Sequence, residues 1–215
     1  MIAIFDLDGT ITDSMGYWRG MDREFLSRHG VKDPESLPTI YDRDWMEKIL
    51  ELVNSRHGLS LTKKDMHEWI LENIYKHYSN DVTFKPGAHE LLEKLSEMGI
   101  RMCICSSTDR YLMEPALKRL DIDKYFEFTL HCREFGMEKN DPEIFRYCAE
   151  RLGETDMSRV VVFEDASYAA STAKEAGCYV VGMYDKTETH PEIIKEVANQ
   201  YVSDYSELDY ALLPL

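Results

Sequence analysis

The chain has 215 residues, 44% apolar and 30% charged, which suits one α/β domain of ordinary size with a small insertion and leaves no disordered tail or low-complexity run. Its 40 acidic and 25 basic residues give a net charge of -15, and such a field repels nucleic acid and anionic membranes, so neither is expected as a partner. The five cysteines form no CxxC pair and read as reduced, buried thiols, and the seven histidines lack metal-ligand spacing.

In chain order, the apolar run 2–5 reads as a buried strand ending at Asp6, and Asp8-Gly9-Thr10 follows as a turn. Starting a strand at Ile2 leaves no room for a signal peptide, and no apolar run approaches the roughly 20 residues of a membrane span, so a soluble cytoplasmic protein is expected. From about Tyr17 to Ser79 the pattern is entirely helical. Its apolar stripes are Met21, Phe25 and Leu26, then Trp45, Ile49, Leu52 and Val53, then Met66, Trp69, Ile70 and Ile74. Thr62, with Asp65 three residues on, is the N-cap of the third stripe. The stripes read as the core of a small helical bundle.

At Phe84 the texture changes. Pro86 opens a helix that Leu91, Leu92 and Leu95 continue and Gly99 closes. A strand over 100–105 ends in Ser106-Ser107-Thr108, and a helix over 109–120 follows. Residues 126–130 read as a strand, and Asp141-Pro142 caps a helix running to Leu152. A buried strand over 160–163 ends in Glu164-Asp165. After it come a helix to Ala176, a strand over 178–182 and a helical segment over 191–198. Strands alternating with helices imply parallel pairing, in a sheet covered on both faces.

Three of these strands end in polar residues: Asp6 and Asp8, then Ser106, then Glu164 and Asp165. In an open parallel sheet, ligands bind at the carboxyl ends of the strands, near a switch in strand order. Carboxylates converging there repel one another strongly at low dielectric, and a divalent cation removes that cost. Oxygen-only ligands suit magnesium, which would bridge Asp6 to a phosphate oxygen and offset the negative field of the chain. Lys139, just before the helix start at Asp141-Pro142, could supply a second positive charge, although by itself it reads as a solvated lysine.

These residues resemble a known family. Asp6-Leu7-Asp8-Gly9-Thr10 is similar to the DxDGT signature of the haloacid dehalogenase superfamily, and Ser106 matches its second motif. Lys139, followed by Asp141-Pro142-Glu143-Ile144-Phe145, resembles the third motif, and Glu164-Asp165 the acidic pair of the fourth. Two departures stand out. Glu138-Lys139-Asn140 replaces the usual Gly-Lys-Pro, and Ala169 stands where a Gly is common. The helical insertion is similar to the cap of the phosphatase and β-phosphoglucomutase-like branch. The resemblance implies a Rossmann-like α/β core over 1–14 and 85–215, with a parallel sheet flanked by helices, and a helical cap over 15–84.

It also implies roles. Asp6 is the nucleophile that forms an aspartyl-phosphate, and Asp8 is the general acid and base. Ser106 and Lys139 bind phosphoryl oxygens. Asp6, the Asp8 carbonyl and Asp165, with Glu164 through water, hold Mg2+. Relatives that cleave carbon–halogen bonds lack an acid at the Asp8 position, because a halide leaves without a proton. Asp8 therefore points to a phosphomonoester of a small metabolite as substrate. The alternatives are a sugar phosphomutase of the β-phosphoglucomutase type and a non-catalytic or receiver-like phospho-Asp protein. The cap is expected to close over bound substrate through linkers near 13–19 and 81–86, and Tyr17, Trp18, Arg19 and Arg43 are candidates for selectivity on its face. The substrate's identity and the oligomeric state stay open.

Overall fold

Short runs of apolar residues that carry no polar alternation make stable strands only where both faces of a sheet are covered. In the computed structural model, which describes residues 1–38 and 44–214, six strands pair in parallel, the central ones built from such runs. They are β1 (Ile2–Phe5), β2 (Arg101–Ser106), β3 (Phe128–His131), β4 (Val160–Glu164), β5 (Tyr179–Met183) and β6 (Gln200–Val202). The strand order is β3-β2-β1-β4-β5-β6. The expected α/β class with a parallel sheet is therefore the observed one. β6 was not anticipated: it is three residues long and pairs through β5 at the sheet edge.

β1 is the hinge of this order. It pairs with β2 on one side, Phe5 opposite Ile104, and with β4 on the other, Phe5 opposite Phe163. The chain winds outward from β1 in both directions, so the switch point lies at the carboxyl ends of β1, β2 and β4. The Asp6 N–H donates to the Phe163 carbonyl at 3.0 Å, which extends the ladder one residue past β1 and fixes the backbone of Asp6.

Successive side chains alternate across the sheet. Ile2, Ile4, Cys103, Cys105, Val160 and Val162 pack on one face with Ile144, Phe145 and Cys148 of α7 (Glu143–Arg151) and Ala170 and Ala173 of α8 (Ser167–Glu175). On the other face, the rings of Phe5 and Phe163 stack at 4.2 Å, and Tyr205 meets Phe163 edge-on. All five cysteines are free and buried, as expected. The helix expected from Pro86 begins instead at Ala88, because Gly87 adopts a left-handed φ of 73° that no helical residue shares. Among the described residues, no helix is long and apolar enough to cross a membrane.

The chain divides into two compact units, Met1–Met15 with Tyr78–Leu215, and Gly16–His77. In the second unit, α2 (Met21–Arg28) buries Met21, Phe25 and Leu26, and α3 (Trp45–His57) buries Ile49, Leu50 and Val53. The α3 stripe is rotated relative to the sequence reading: Leu50 is buried, whereas Trp45 and Leu52 are half-buried. The long helix α4 (Lys63–Asn80) buries Met66, Ile70 and Ile74 in this unit. Thr62 caps it reciprocally. The Asp65 N–H donates to Thr62 Oγ1 at 3.2 Å, and the Thr62 N–H and hydroxyl both donate to Asp65 Oδ2. The last turn of α4, from Tyr78, belongs to the first unit. Arg119 Nε donates to the Tyr78 carbonyl at 3.4 Å, and the Asp13 N–H donates to the Thr83 carbonyl at 2.9 Å.

Candidate active site

β1 ends in an apolar wall and delivers Asp6 directly to the switch point, where its carboxylate is almost fully buried. Glu164, the last residue of β4, and Asp165 arrive from the neighbouring strand. One carboxylate oxygen from each of Asp6, Glu164 and Asp165 falls within 4.8 Å of the others. Lys139, from the loop before α7, is also buried, and its ammonium donates to Asp6 Oδ1 and, at 2.8 Å, to Glu164 Oε2. Lys139, expected to bind phosphoryl oxygens, stands here as a buried counter-charge between two acids.

One ammonium does not neutralise three carboxylates. Burial pushes the Glu164 carboxyl up to about 7, Lys139 pulling against it and Asp6 adding to it. Burial also lifts Asp165 well above the carboxylate range, and the charges of Asp6 and Glu164 lift it further. Burial by itself would lower Lys139, but Asp6 and Glu164 outweigh it and keep the ammonium protonated. An all-oxygen donor set with an excess of buried negative charge is what a hard divalent cation requires, so the residues present fit such an ion. Among the described residues, the group that meets there consists of carboxylates.

The turn after Asp6 is shaped for this approach. Gly9 has a φ of 82°, and a Cβ there would sit 2.1 Å from Asp165 Oδ2. Only glycine both tolerates the left-handed backbone and lets Asp165 come so close. Thr10 Oγ1 donates to Asp165 Oδ1 at 3.3 Å, and Tyr205, fully buried, donates its hydroxyl to the Thr10 carbonyl at 3.2 Å. A second buried ion pair stands nearby, in which Lys85 Nζ donates to Asp185 Oδ2 at 3.1 Å and to the Tyr184 carbonyl.

Asp8 lies beside Asp6 in charge but is held differently. Its Oδ1 accepts from the hydroxyls of Ser14, at 2.6 Å, and Tyr78, and its Oδ2 accepts from Thr108 Oγ1 at 2.7 Å. Burial and the Asp6 charge raise the Asp8 carboxyl above its ordinary value, and the three hydroxyls partly offset them. Ser106, at the end of β2, is buried and accepts the Thr108 N–H at 3.0 Å. Asp8 and Ser106 are thus joined through Thr108.

Six positions singled out from the sequence, 6, 8, 106, 139, 164 and 165, meet at this one end of the sheet. The sequence reading did not include Thr10, Ser14, Tyr78 and Thr108. Thr10 and Thr108 sit in the motif segments already quoted, so proximity in sequence was their available signal, and Tyr78 carried none. Of the selectivity candidates, Tyr17, Trp18 and Arg19 belong to the second unit, and Arg43 lies outside the described residues.

Comparison with known proteins adds to this geometry. Residues 1–177 match the family described as haloacid dehalogenase-like hydrolase. A phosphorylated carbohydrates phosphatase of Thermotoga maritima is 29% identical over 179 residues, which span 81% of each chain. Validoxylamine A 7'-phosphate phosphatase of Streptomyces hygroscopicus subsp. limoneus is 29% identical over 96% of this chain and 95% of its own. The crystal structure of β-phosphoglucomutase from Clostridium difficile superposes with a TM-score of 0.68 at 26% identity, covering 98% of this chain and 95% of that one.

Proposed function

The chain belongs to the haloacid dehalogenase-like hydrolases, and from that membership we propose a magnesium-dependent phosphatase that hydrolyses a small phosphomonoester through an aspartyl-phosphate. The observation that supports this most is the buried set of Asp6, Lys139, Glu164 and Asp165 at the switch point, with Asp8 alongside. Fold alone would not carry it, since one architecture hosts many chemistries. The relatives named for phosphorylated carbohydrates and for validoxylamine A 7'-phosphate favour a phosphorylated, sugar-like metabolite as substrate.

In this reading an Asp6 carboxylate oxygen attacks phosphorus in line, and the bond from phosphorus to the ester oxygen breaks. Asp8 gives its proton to the departing alkoxide. Water then attacks phosphorus, Asp8 takes the water's proton, and phosphate leaves Asp6. The Ser106 hydroxyl and the Lys139 ammonium hold the phosphoryl oxygens while charge builds on them. Asp6, Asp165, the Asp8 carbonyl and, through water, Glu164 would hold Mg2+, which supplies neutralising charge to the phosphoryl group. The similarity to β-phosphoglucomutase favours a second reading, in which a sugar hydroxyl replaces water as the acceptor.

The test is a panel of phosphorylated sugars, polyols and p-nitrophenyl phosphate, assayed for phosphate release with magnesium and with a chelator. Phosphate should accumulate with magnesium only, and Asp6→Asn should abolish it. Near-normal turnover by Asp6→Asn would contradict the nucleophile. Interconversion of sugar phosphates without phosphate release would favour the mutase.

A further inference from the structure

We infer that Tyr78 is a positioning residue for Asp8, and that with Ser14 it leaves Oδ2 of Asp8 as the oxygen that carries the transferred proton. The inference rests on the acid–base role proposed for Asp8 and deepens it.

One nearby segment and two distant ones converge on this carboxylate. Ser14 lies six residues on, Tyr78 seventy and Thr108 one hundred. Tyr78 is fully buried and sits in the last turn of α4. Its backbone is anchored, because Arg119 donates to the carbonyls of Tyr78 and Val82, and residues 11–13 hydrogen-bond with 83–85. The phenol is therefore delivered to Asp8 by a fixed stretch of chain. A Phe would fill the same space, so the hydroxyl is the informative part of the side chain.

The lone pairs decide which oxygen works. A carboxylate oxygen accepts about two hydrogen bonds. Ser14 and Tyr78 fill both places on Oδ1, whereas Thr108 fills one place on Oδ2. Among the described residues, the open place is on Oδ2. The partners are also of the right kind. A hydroxyl both donates and accepts, so it can hold the carboxylic acid and the carboxylate in one orientation. An ammonium or guanidinium only donates, and would bias Asp8 toward the charged form. A group that alternates between acid and base through two half-reactions is better served by partners without a formal charge, and all three partners here are neutral hydroxyls.

The test compares kcat/KM, which reports the phosphorylation step, for two esters. An alkyl phosphate leaves as an alkoxide and needs the Asp8 proton, whereas 2,4-dinitrophenyl phosphate leaves unaided. Tyr78→Phe should lower kcat/KM for the alkyl ester about ten- to a hundredfold, the loss of one hydrogen bond to a charged group. For the dinitrophenyl ester the change should stay within about threefold, because that step draws little on general acid catalysis. Equal losses on both esters, or none on either, would overturn the inference. Thr108→Val, at a less buried position, should show the same split and serves as the test if Tyr78→Phe does not fold. Asp8→Asn separates the two levels of the argument. A split with Asp8→Asn but not with the folded Tyr78→Phe rejects the positioning role alone. No split with Asp8→Asn rejects the acid role, and the inference falls with it.

Discussion

Replacing Lys139 with Met keeps most of the buried volume and removes the one ammonium that bonds Asp6 and Glu164. Breaking a buried pair by deleting one partner costs about 3–5 kcal/mol, because it leaves a charge uncompensated. Here the acids have an escape, since Glu164 and Asp165 already titrate high and can take up a proton. Without the lysine the acids of the folded variant should bind about one more proton near neutrality than those of the folded parent, while the acids of the unfolded chain gain none. Its stability should then fall more steeply with rising pH, by about 1.4 kcal/mol per pH unit for each extra proton. Between pH 5.5 and 7.5 this opens a further gap of up to about 2.7 kcal/mol. For a chain of this length each kcal/mol moves the midpoint by about 2–4 °C, so the deficit at pH 7.5 should be roughly 10 °C and should shrink clearly at pH 5.5. Thermal unfolding of both proteins at the two pH values, in chelator, measures it. A deficit that is independent of pH, or a variant as stable as the parent at pH 7.5, would refute the electrostatic account.

Two further outcomes follow from the same cluster. The carboxyl of Glu164 is raised from its ordinary 4.5 to about 7, so the stability contributed by its protonated form is full below the ordinary value and is lost as pH climbs through about 7, and the raised carboxyl of Asp165 acts in the same direction. The metal-free midpoint should therefore fall from pH 5.5 to 8, and millimolar magnesium should raise it more at pH 8, where binding displaces fewer protons; an equal or larger rise at pH 5.5 would contradict this. Gly9→Ala places a Cβ 2.1 Å from Asp165 Oδ2 on a left-handed backbone, so it should cost about 1–2 kcal/mol in conformation and lower turnover by at least about a hundredfold through displacement of Asp165. Unfolding and phosphate-release assays check both effects, and near-wild-type turnover would mean that the close approach is unimportant.

Much of this was legible along the chain. Strand and helix periodicity depends on neighbours a few residues apart, so the apolar run before Asp6, the run before Glu164-Asp165 and the reciprocal pair of Thr62 and Asp65 could be read directly. Acidic residues placed just after buried strands were enough to point to the end of the sheet where Asp6, Glu164 and Asp165 gather. The β6 run was too short to carry a pattern of its own. Gly87 delayed its helix by a choice of backbone angle that composition does not reveal.

Tertiary structure alone decided the rest, because it depends on which distant segments meet. Strand order placed β1 between β2 and β4 and so brought Asp6, Ser106 and Asp165 to one end. The third motif singled out Lys139, but only packing shows its ammonium buried between Asp6 and Glu164. Tyr78 reaches Asp8 across seventy residues, and nothing in its neighbours marks it as different from any other apolar position on a helix. Local pattern dictated which elements form and where their charges stand. Packing determined which of those charges lose their water, and that loss of water gives this carboxylate cluster its perturbed chemistry.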